Sequence, residues 1–204
     1  MKKKVIFIST IIFLIAIIIF FIKVDYKKIK ISDNQSNKNV NQIKEYILNI
    51  SSYIAELEVT INSNKNTNKY ILKQEYIQNQ INKQTILKPE NIEGIEICYK
   101  NGNLEINNSK LNLSKIYNNY PYLSDNVLWL SSFIDKCKQN PSNVQIYEEN
   151  EFIVMELDKI TNTYMTSQKL YLENGTGKPK KMIIQDNTKK NIICIIYTEI
   201  NLNN

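Results

Sequence analysis

From residue 53 onward the apolar residues of this chain fall at every second position. Ala55, Leu57, Val59 and Ile61 alternate with Glu56, Glu58 and Thr60. A period of two is what a strand with one buried and one wet face requires. The period returns through most of the remaining chain. It predicts strands near residues 70–78, 84–87, 95–99, 104–106, 110–113, 144–148, 151–157, 164–173, 180–186 and 192–200. Short turns separate them. Asn101-Gly102 is the clearest, because a type I′ hairpin needs positive φ at both central residues. Asn107-Asn108 and Glu149-Asn150 read as tight turns as well, and so do the segments 64–68, 174–179 and 186–190. Tight turns join antiparallel neighbours.

Two stretches break the alternation. Val40, Ile43, Ile47 and Ile50 recur at helical spacing. Residues 127–138 carry Leu128, Trp129, Phe133, Ile134 and Cys137 on one face, after the capping candidates Ser124, Asp125 and Asn126. Trp129 reads as a core anchor. The expected fold is α+β and mainly β: a strongly curved antiparallel sheet, or half-barrel, of about ten strands wrapping two short helices.

The N-terminus has neither period. Val5 to Ile22 is an almost unbroken apolar run, long enough to be read as a transmembrane helix. Lys4 and Lys23 can snorkel at its ends. A cleaved signal peptide would need small residues at the end of the run, where Phe20, Phe21 and Ile22 stand. A lipid-anchored leader would need a cysteine just beyond it, and none follows. The expected organisation is therefore a signal anchor over residues 1–24, a polar linker over 25–39 and a single domain over 40–204. Lysines flank both sides of the span. The N-terminal ones, with the α-amino group, favour a cytoplasmic N-terminus and an extracytoplasmic domain.

Charge and composition remove several function classes. Lys2, Lys3, Lys4, Lys23, Lys27, Lys28 and Lys30, less Asp25, account for the whole net charge of +6. The domain is then close to neutral. Its basic groups at 178–181 and 189–190 look like hairpin ends, so no nucleic-acid partner is expected. There is no histidine in the chain, which excludes His-based triads and the usual His-containing zinc sites. Phosphate-binding, dinucleotide and nucleophile-elbow motifs are missing. Glu56 with Glu58, Glu93 with Glu96, and Glu148 with Glu149 and Glu151 are paired carboxylates, but they read as solvated charge on strand faces and loops. No catalytic, cofactor-binding or metal-binding residues are expected, and the chain is read as non-enzymatic. Cys98, Cys137 and Cys194 are an odd count. They read as small core hydrophobes, with a Cys98–Cys194 bridge left open.

Certain residues carry a resemblance. They include Tyr53-x-Ala55-x-Leu57-x-Val59, Gln74-x-Tyr76, Pro89-x-x-Ile92-x-Gly94 and Asn103-Leu104-x-Ile106. The longest run is Lys169-Leu170-Tyr171-Leu172-x-Asn174-x-Thr176-Gly177-x-Pro179-x-Lys181-Met182, followed by Asp186 and Ile195-x-Tyr197. Together they resemble the lipoprotein-carrier (LolA-like) fold and, more closely, the clostridial GerS-like spore-germination proteins. The resemblance implies a protein that binds and activates a zinc-dependent N-acetylmuramoyl-L-alanine amidase of the CwlD type, which modifies spore-cortex peptidoglycan. Zinc and chemistry would then belong to the partner. The implied location is the outer forespore membrane, facing the cortex, with Val5 to Ile22 replacing the family's lipid anchor. The alternative is a carrier or sensor that holds a lipid or lipoprotein in a hydrophobic cavity under the sheet. A filled core with an exposed strand edge or apolar patch favours the first reading, and an open apolar cavity the second. The sequence names no partner-binding residue.

Overall fold

The computed structural model describes residues 39–108, 110–120, 126–162 and 165–204. The expected membrane span Val5 to Ile22, most of the linker, and Ser124 and Asp125 lie outside the described residues. Among the described residues no helix is long and apolar enough to cross a membrane.

Helix α1 (Val40–Leu48) starts at a capping box: Asn39 Oδ1 accepts from Gln42 N–H at 3.0 Å, and Gln42 Oε1 accepts from Asn39 N–H at 2.9 Å. Ile43 and Ile47, four residues apart, are completely buried. The first meander follows: β1 (Ser52–Asn62), β2 (Thr67–Ile77), β3 (Ile81–Lys88), β4 (Glu96–Lys100), β5 (Asn103–Asn108) and β6 (Leu113–Tyr117). Helix α2 (Leu130–Gln139) comes next. The second meander is β7 (Val144–Glu149), β8 (Phe152–Asn162), β9 (Met165–Glu173), β10 (Pro179–Gln185) and β11 (Asn191–Asn203). All eleven strands form one antiparallel sheet in the order β6-β5-β4-β3-β2-β1-β11-β10-β9-β8-β7. Each meander is local. The two halves join where β1 meets β11, with Tyr53 opposite Leu202 and Val59 opposite Ile195, and with a register shift at Glu56/Leu57.

A chain with four glycines has to turn by another route. Asn79, Asn101, Asn112, Asn119 and Asn150 take φ between 48° and 60°, since asparagine tolerates the left-handed region better than other side chains. One glycine is required for a different reason. A Cβ on Gly177 would lie 3.3 Å from Ile43 and Tyr46, so the β9–β10 turn presses directly on α1.

One face of the sheet carries the core. Leu57, Ile153, Met155, Leu170, Leu172, Met182, Ile184 and Ile195 are fully buried beneath Ile43, Ile47, Leu130 and Phe133. Each such side chain stabilises the fold by ~1.5–3 kcal/mol. Trp129 is 2 % exposed and is the core anchor its position predicts.

The described residues form eleven strands, in keeping with the expected number of about ten. Several other expectations need correction. The strand expected at 84–87 spans eight residues, Ile81–Lys88. Asn107-Asn108 is not a turn. Both residues belong to β5, and the last strand of the first meander runs over 113–117, not 110–113. Asn108 is buried because its side chain satisfies two backbone groups: Nδ2 donates to the Glu93 carbonyl at 3.2 Å, and Oδ1 accepts from Leu111 N–H at 3.0 Å. Helix α2 begins at Leu130, not at 127. Its N-cap is Trp129, which makes no side-chain capping bond, while Asn126 Oδ1 bonds Leu128 N–H in the approach. The open Cys98–Cys194 alternative is removed. All three cysteines are free, and β4 and β11 lie four strand spacings apart, ~19 Å, against a Cα limit of ~7 Å.

Candidate functional site: a sheet face the helices leave bare

The helices cover only part of the sheet. The core cluster, with the side chains packed against it, takes residues from β1, β2, β3 and β7 to β11, but none from β4, β5 or β6. Yet the covered face continues onto those three strands. Gln84 stands opposite Ile97, Ile97 opposite Ile106, and Ile106 opposite Lys115; Tyr99 stands opposite Leu104, and Leu104 opposite Tyr117. Ile97, Tyr99, Leu104 and Ile106 are half-buried, and Leu113 and Tyr117 are 42 % and 39 % exposed. On the other face Ile116 is 57 % exposed, and Leu111 in the preceding turn is 63 % exposed. The result is a three-stranded arm with an apolar surface beyond the helices.

Strand β6 closes this arm and, among the described residues, has a neighbouring strand on one side only. All five of its residues are exposed. From Ile106 to Ser124 the chain has two charged residues, Lys110 and Lys115, and neither is acidic. Lys115 Nζ lies 4.9 Å from the centre of the Tyr117 ring, and the Tyr117 and Tyr120 rings are 6.5 Å apart. The arm is tied back at several points: Lys83 to Glu96 at 2.7 Å, Lys110 to Glu93 at 3.4 Å, and Tyr120 N–H to the Gly102 carbonyl at 2.8 Å.

Under the helices the face is packed, with a polar seam through it. Gln74 on β2 donates to the Leu128 carbonyl at 3.2 Å and to Gln84 Oε1 at 2.9 Å. Gln168 on β9 donates to the Val127 carbonyl at 3.2 Å and lies 3.1 Å from Met182 Sδ. Two glutamines from the two halves of the sheet thus hold consecutive carbonyls of the strap that leads into α2. The Tyr53 hydroxyl donates to Gln74 Oε1 at 3.4 Å and lies close to Ser131 and Leu130 at the start of α2. Burial raises its pKa well above the usual tyrosine range. Gln168 Oε1 and the Tyr197 hydroxyl are buried without a hydrogen-bond partner among the described residues. Burial also pushes the Cys137 thiol up to about 12.

The carboxylate candidates do not converge. Glu56 and Glu58 are exposed on β1, Glu93 and Glu96 are each taken by a lysine, and Glu148, Glu149 and Glu151 surround the β7–β8 turn. Of the basic candidates, Lys180 pairs with Glu173 at 2.9 Å, and Lys181 sits 4.1 Å over the Tyr171 ring. Among the described residues no group of three or more Cys, Asp or Glu could hold a metal ion. One cluster escaped the sequence reading. Glu156 accepts from Tyr147 Oη at 2.7 Å and pairs with Lys169 at 3.1 Å, next to buried Val154, Tyr171 and Ile183 on the outer face. Burial and the Glu156 carboxylate push the Tyr147 phenol up to about 12. Its members lie on three strands, and only cross-strand register could have brought them together.

No family model matches the chain, and no curated protein matches it. Solved structures do. The chain is similar to the GerS lipoprotein of Clostridioides difficile, in the structure of the CwlD amidase in complex with GerS, at 22 % identity over 78 % of this chain and 91 % of that one, with a TM-score of 0.51. It is similar to an uncharacterized conserved protein from Thermus thermophilus at 10 % identity, over 82 % and 89 % of the two chains, with a TM-score of 0.51. A LolA superfamily protein from Nitrosomonas europaea matches more loosely, at 12 % identity over 82 % and 94 %, with a TM-score of 0.42. The GerS and Thermus likenesses show the fold: a mainly-β antiparallel sheet with two short helices on one face.

Proposed function

We propose that this chain is a non-enzymatic, membrane-tethered spore-germination protein that binds and activates a CwlD-type cell-wall amidase. The observation that carries this reading is the likeness to GerS, which was solved in complex with that enzyme. The bare arm supports it. An exposed apolar strand face with an open edge is a common way to receive another protein. Leu113, Tyr117 and Ile116 are the residues proposed to meet the partner. On this reading the partner brings the zinc, and the domain over 40–204 curves around its helices as a half-barrel. Val5 to Ile22 tethers it on the extracytoplasmic side, at the outer forespore membrane facing the cortex.

Carriage of a lipid or lipoprotein would need an open apolar cavity against the sheet. Trp129, Leu130 and Phe133, none more than 2 % exposed, occupy that face instead, which favours the partner-binding reading. The test is co-expression of the full chain with a zinc-dependent cell-wall amidase of the same organism, followed by pull-down and a hydrolysis assay. A stable complex with stimulated hydrolysis is expected. No complex, together with normal cortex lactam in a deletion strain, sinks the proposal.

A further inference from the structure

The two edges of the sheet are guarded differently. Among the described residues, β6 and β7 each have one neighbouring strand, so each carries a row of outward backbone groups that no strand of the sheet takes up. Strand β7 sets the exposed Glu148 and Glu149 along its edge, and charge is a common guard against edge pairing. Strand β6 has one charge, Lys115, whose ammonium lies 4.9 Å from the centre of the Tyr117 ring on the same strand. Its exposed residues also include Leu113, Ile116 and Tyr117. We propose that β6 is a homodimer edge: two copies pair β6 to β6, antiparallel, about a two-fold axis normal to the sheet, with Ile116 opposite Ile116.

A two-fold axis normal to the sheet reverses the strand direction and keeps the helix-covered faces of both copies on one side. Equal edges therefore meet antiparallel with their faces matched. Matched faces also limit the register. An axis between two residues sets side chains of different faces opposite each other, so the axis passes at a residue. Centring on Lys115 places like charges directly opposite, which destabilises a strand pair. Centring on Ser114 sets hydroxyl against hydroxyl and Lys115 against Leu113. Centring on Tyr117 runs Lys115 against Asn119, which has left the strand and stands at φ 52°. Centring on Ile116 sets two side chains, each 57 % exposed, against one another on the outer face. It also sets Lys115 of each copy against Tyr117 of the other on the covered face.

The rows of the arm continue across this edge. Ile97, Ile106 and Lys115 lie side by side on the covered face, and so do Tyr99, Leu104 and Tyr117. In the dimer the first row of one copy runs into the second row of the other. The ammonium that lies over its own tyrosine then has a second ring within reach. Glu105 stands opposite Ile116 on β5, so the two Glu105 residues are three strand spacings apart, ~14 Å, beyond the screening length of ~8 Å. The contact uses the same surface on both copies, so it closes at two. It goes beyond the amidase reading, since it needs no second protein.

The test is sedimentation of the full chain alone in mild detergent across a concentration series, with the fold of each variant checked by circular dichroism. The unaltered chain should pass from monomer to dimer and no further. Ile116→Asp sets two carboxylates opposite each other at the axis and should weaken the dimer at least tenfold. Ile116→Cys places two thiols on residues whose Cα atoms are ~4.5–5.5 Å apart, within the disulfide limit of ~7 Å. It should give an oxidised dimer above the background of the unaltered chain. Lys115→Cys puts the two thiols on diagonal neighbours, ~7–8 Å apart, and should stay at that background. A chain monomeric at every concentration overturns the proposal. Assemblies larger than two, a dimer indifferent to Ile116→Asp, or cross-linking through Lys115→Cys in place of Ile116→Cys overturn it as well. Amidase capture by a chain that stays monomeric removes the dimer and leaves the proposed function standing, and a dimer that captures no amidase does the reverse.

Discussion

The two ends of the first meander use the same backbone for opposite purposes. Strands β1 and β2 alternate buried and exposed residues, with Tyr53, Ala55, Leu57, Val59, Leu72 and Tyr76 all in the core. Strands β4 to β6 keep the hydrogen-bonded ladder but give nothing to the core. The difference lies in what covers each region. Two short helices are enough to bury part of an eleven-stranded sheet, and the remainder keeps its apolar residues at the surface. Stability is therefore concentrated in one region and the capacity for contact in the other.

Substitutions can break or sharpen that contrast. Phe133→Ala removes the fully buried aromatic of α2 and should cost ~3–5 kcal/mol in urea unfolding. Leu113→Ala on the arm should change stability by no more than ~0.5 kcal/mol; equal costs at the two sites would contradict the division. Gln74→Leu leaves Gln84 Oε1 and the Leu128 carbonyl without their donor and should cost ~1–3 kcal/mol. In the reverse sense, Leu113→Asp with Tyr117→Asp should leave the melting temperature unchanged while weakening amidase capture tenfold, ~1.4 kcal/mol. The smallest effect is expected at the β9–β10 turn. The Thr176 hydroxyl, and then Lys180, hold the Glu173 carboxyl below its ordinary value of 4.5. The stability it adds is present above that value and lost as pH falls through the folded pKa. Glu173→Gln should flatten the acid limb of the stability profile by under about 0.5 kcal/mol, because the pair is 40–41 % exposed.

Much of the strand pattern was legible because alternation and turn chemistry are local. Asn101-Gly102 takes φ values of 52° and 78°, as a type I′ hairpin requires. Asn150 turns at φ 56°. Two errors came from reading polar residues as caps or turns by default. Asn108 is buried inside β5, because its amide serves two backbone groups brought close only by the fold. The start of α2 was misplaced because the Val127 and Leu128 carbonyls just before it are taken by Gln168 and Gln74, from strands far away in the numbering. The bare arm was not legible at all. Ile97, Leu104 and Ile106 alternate as core strands do, and nothing in that alternation records how far two helices reach. The seam between β1 and β11 was hidden for a related reason: its register joins residues more than a hundred positions apart.

That seam has a consequence for the order of folding. Each meander can form from contacts made within a few tens of residues, but β1 cannot be paired on both sides until β11 exists. The side-chain bond from Thr198 to the Glu56 carbonyl spans 142 residues. Long closures of this kind slow folding, since chain entropy is lost before the contact rewards it. During synthesis the first meander therefore waits with the inner edge of β1 open, and β11, made after the other ten strands, completes the middle of the sheet rather than its margin.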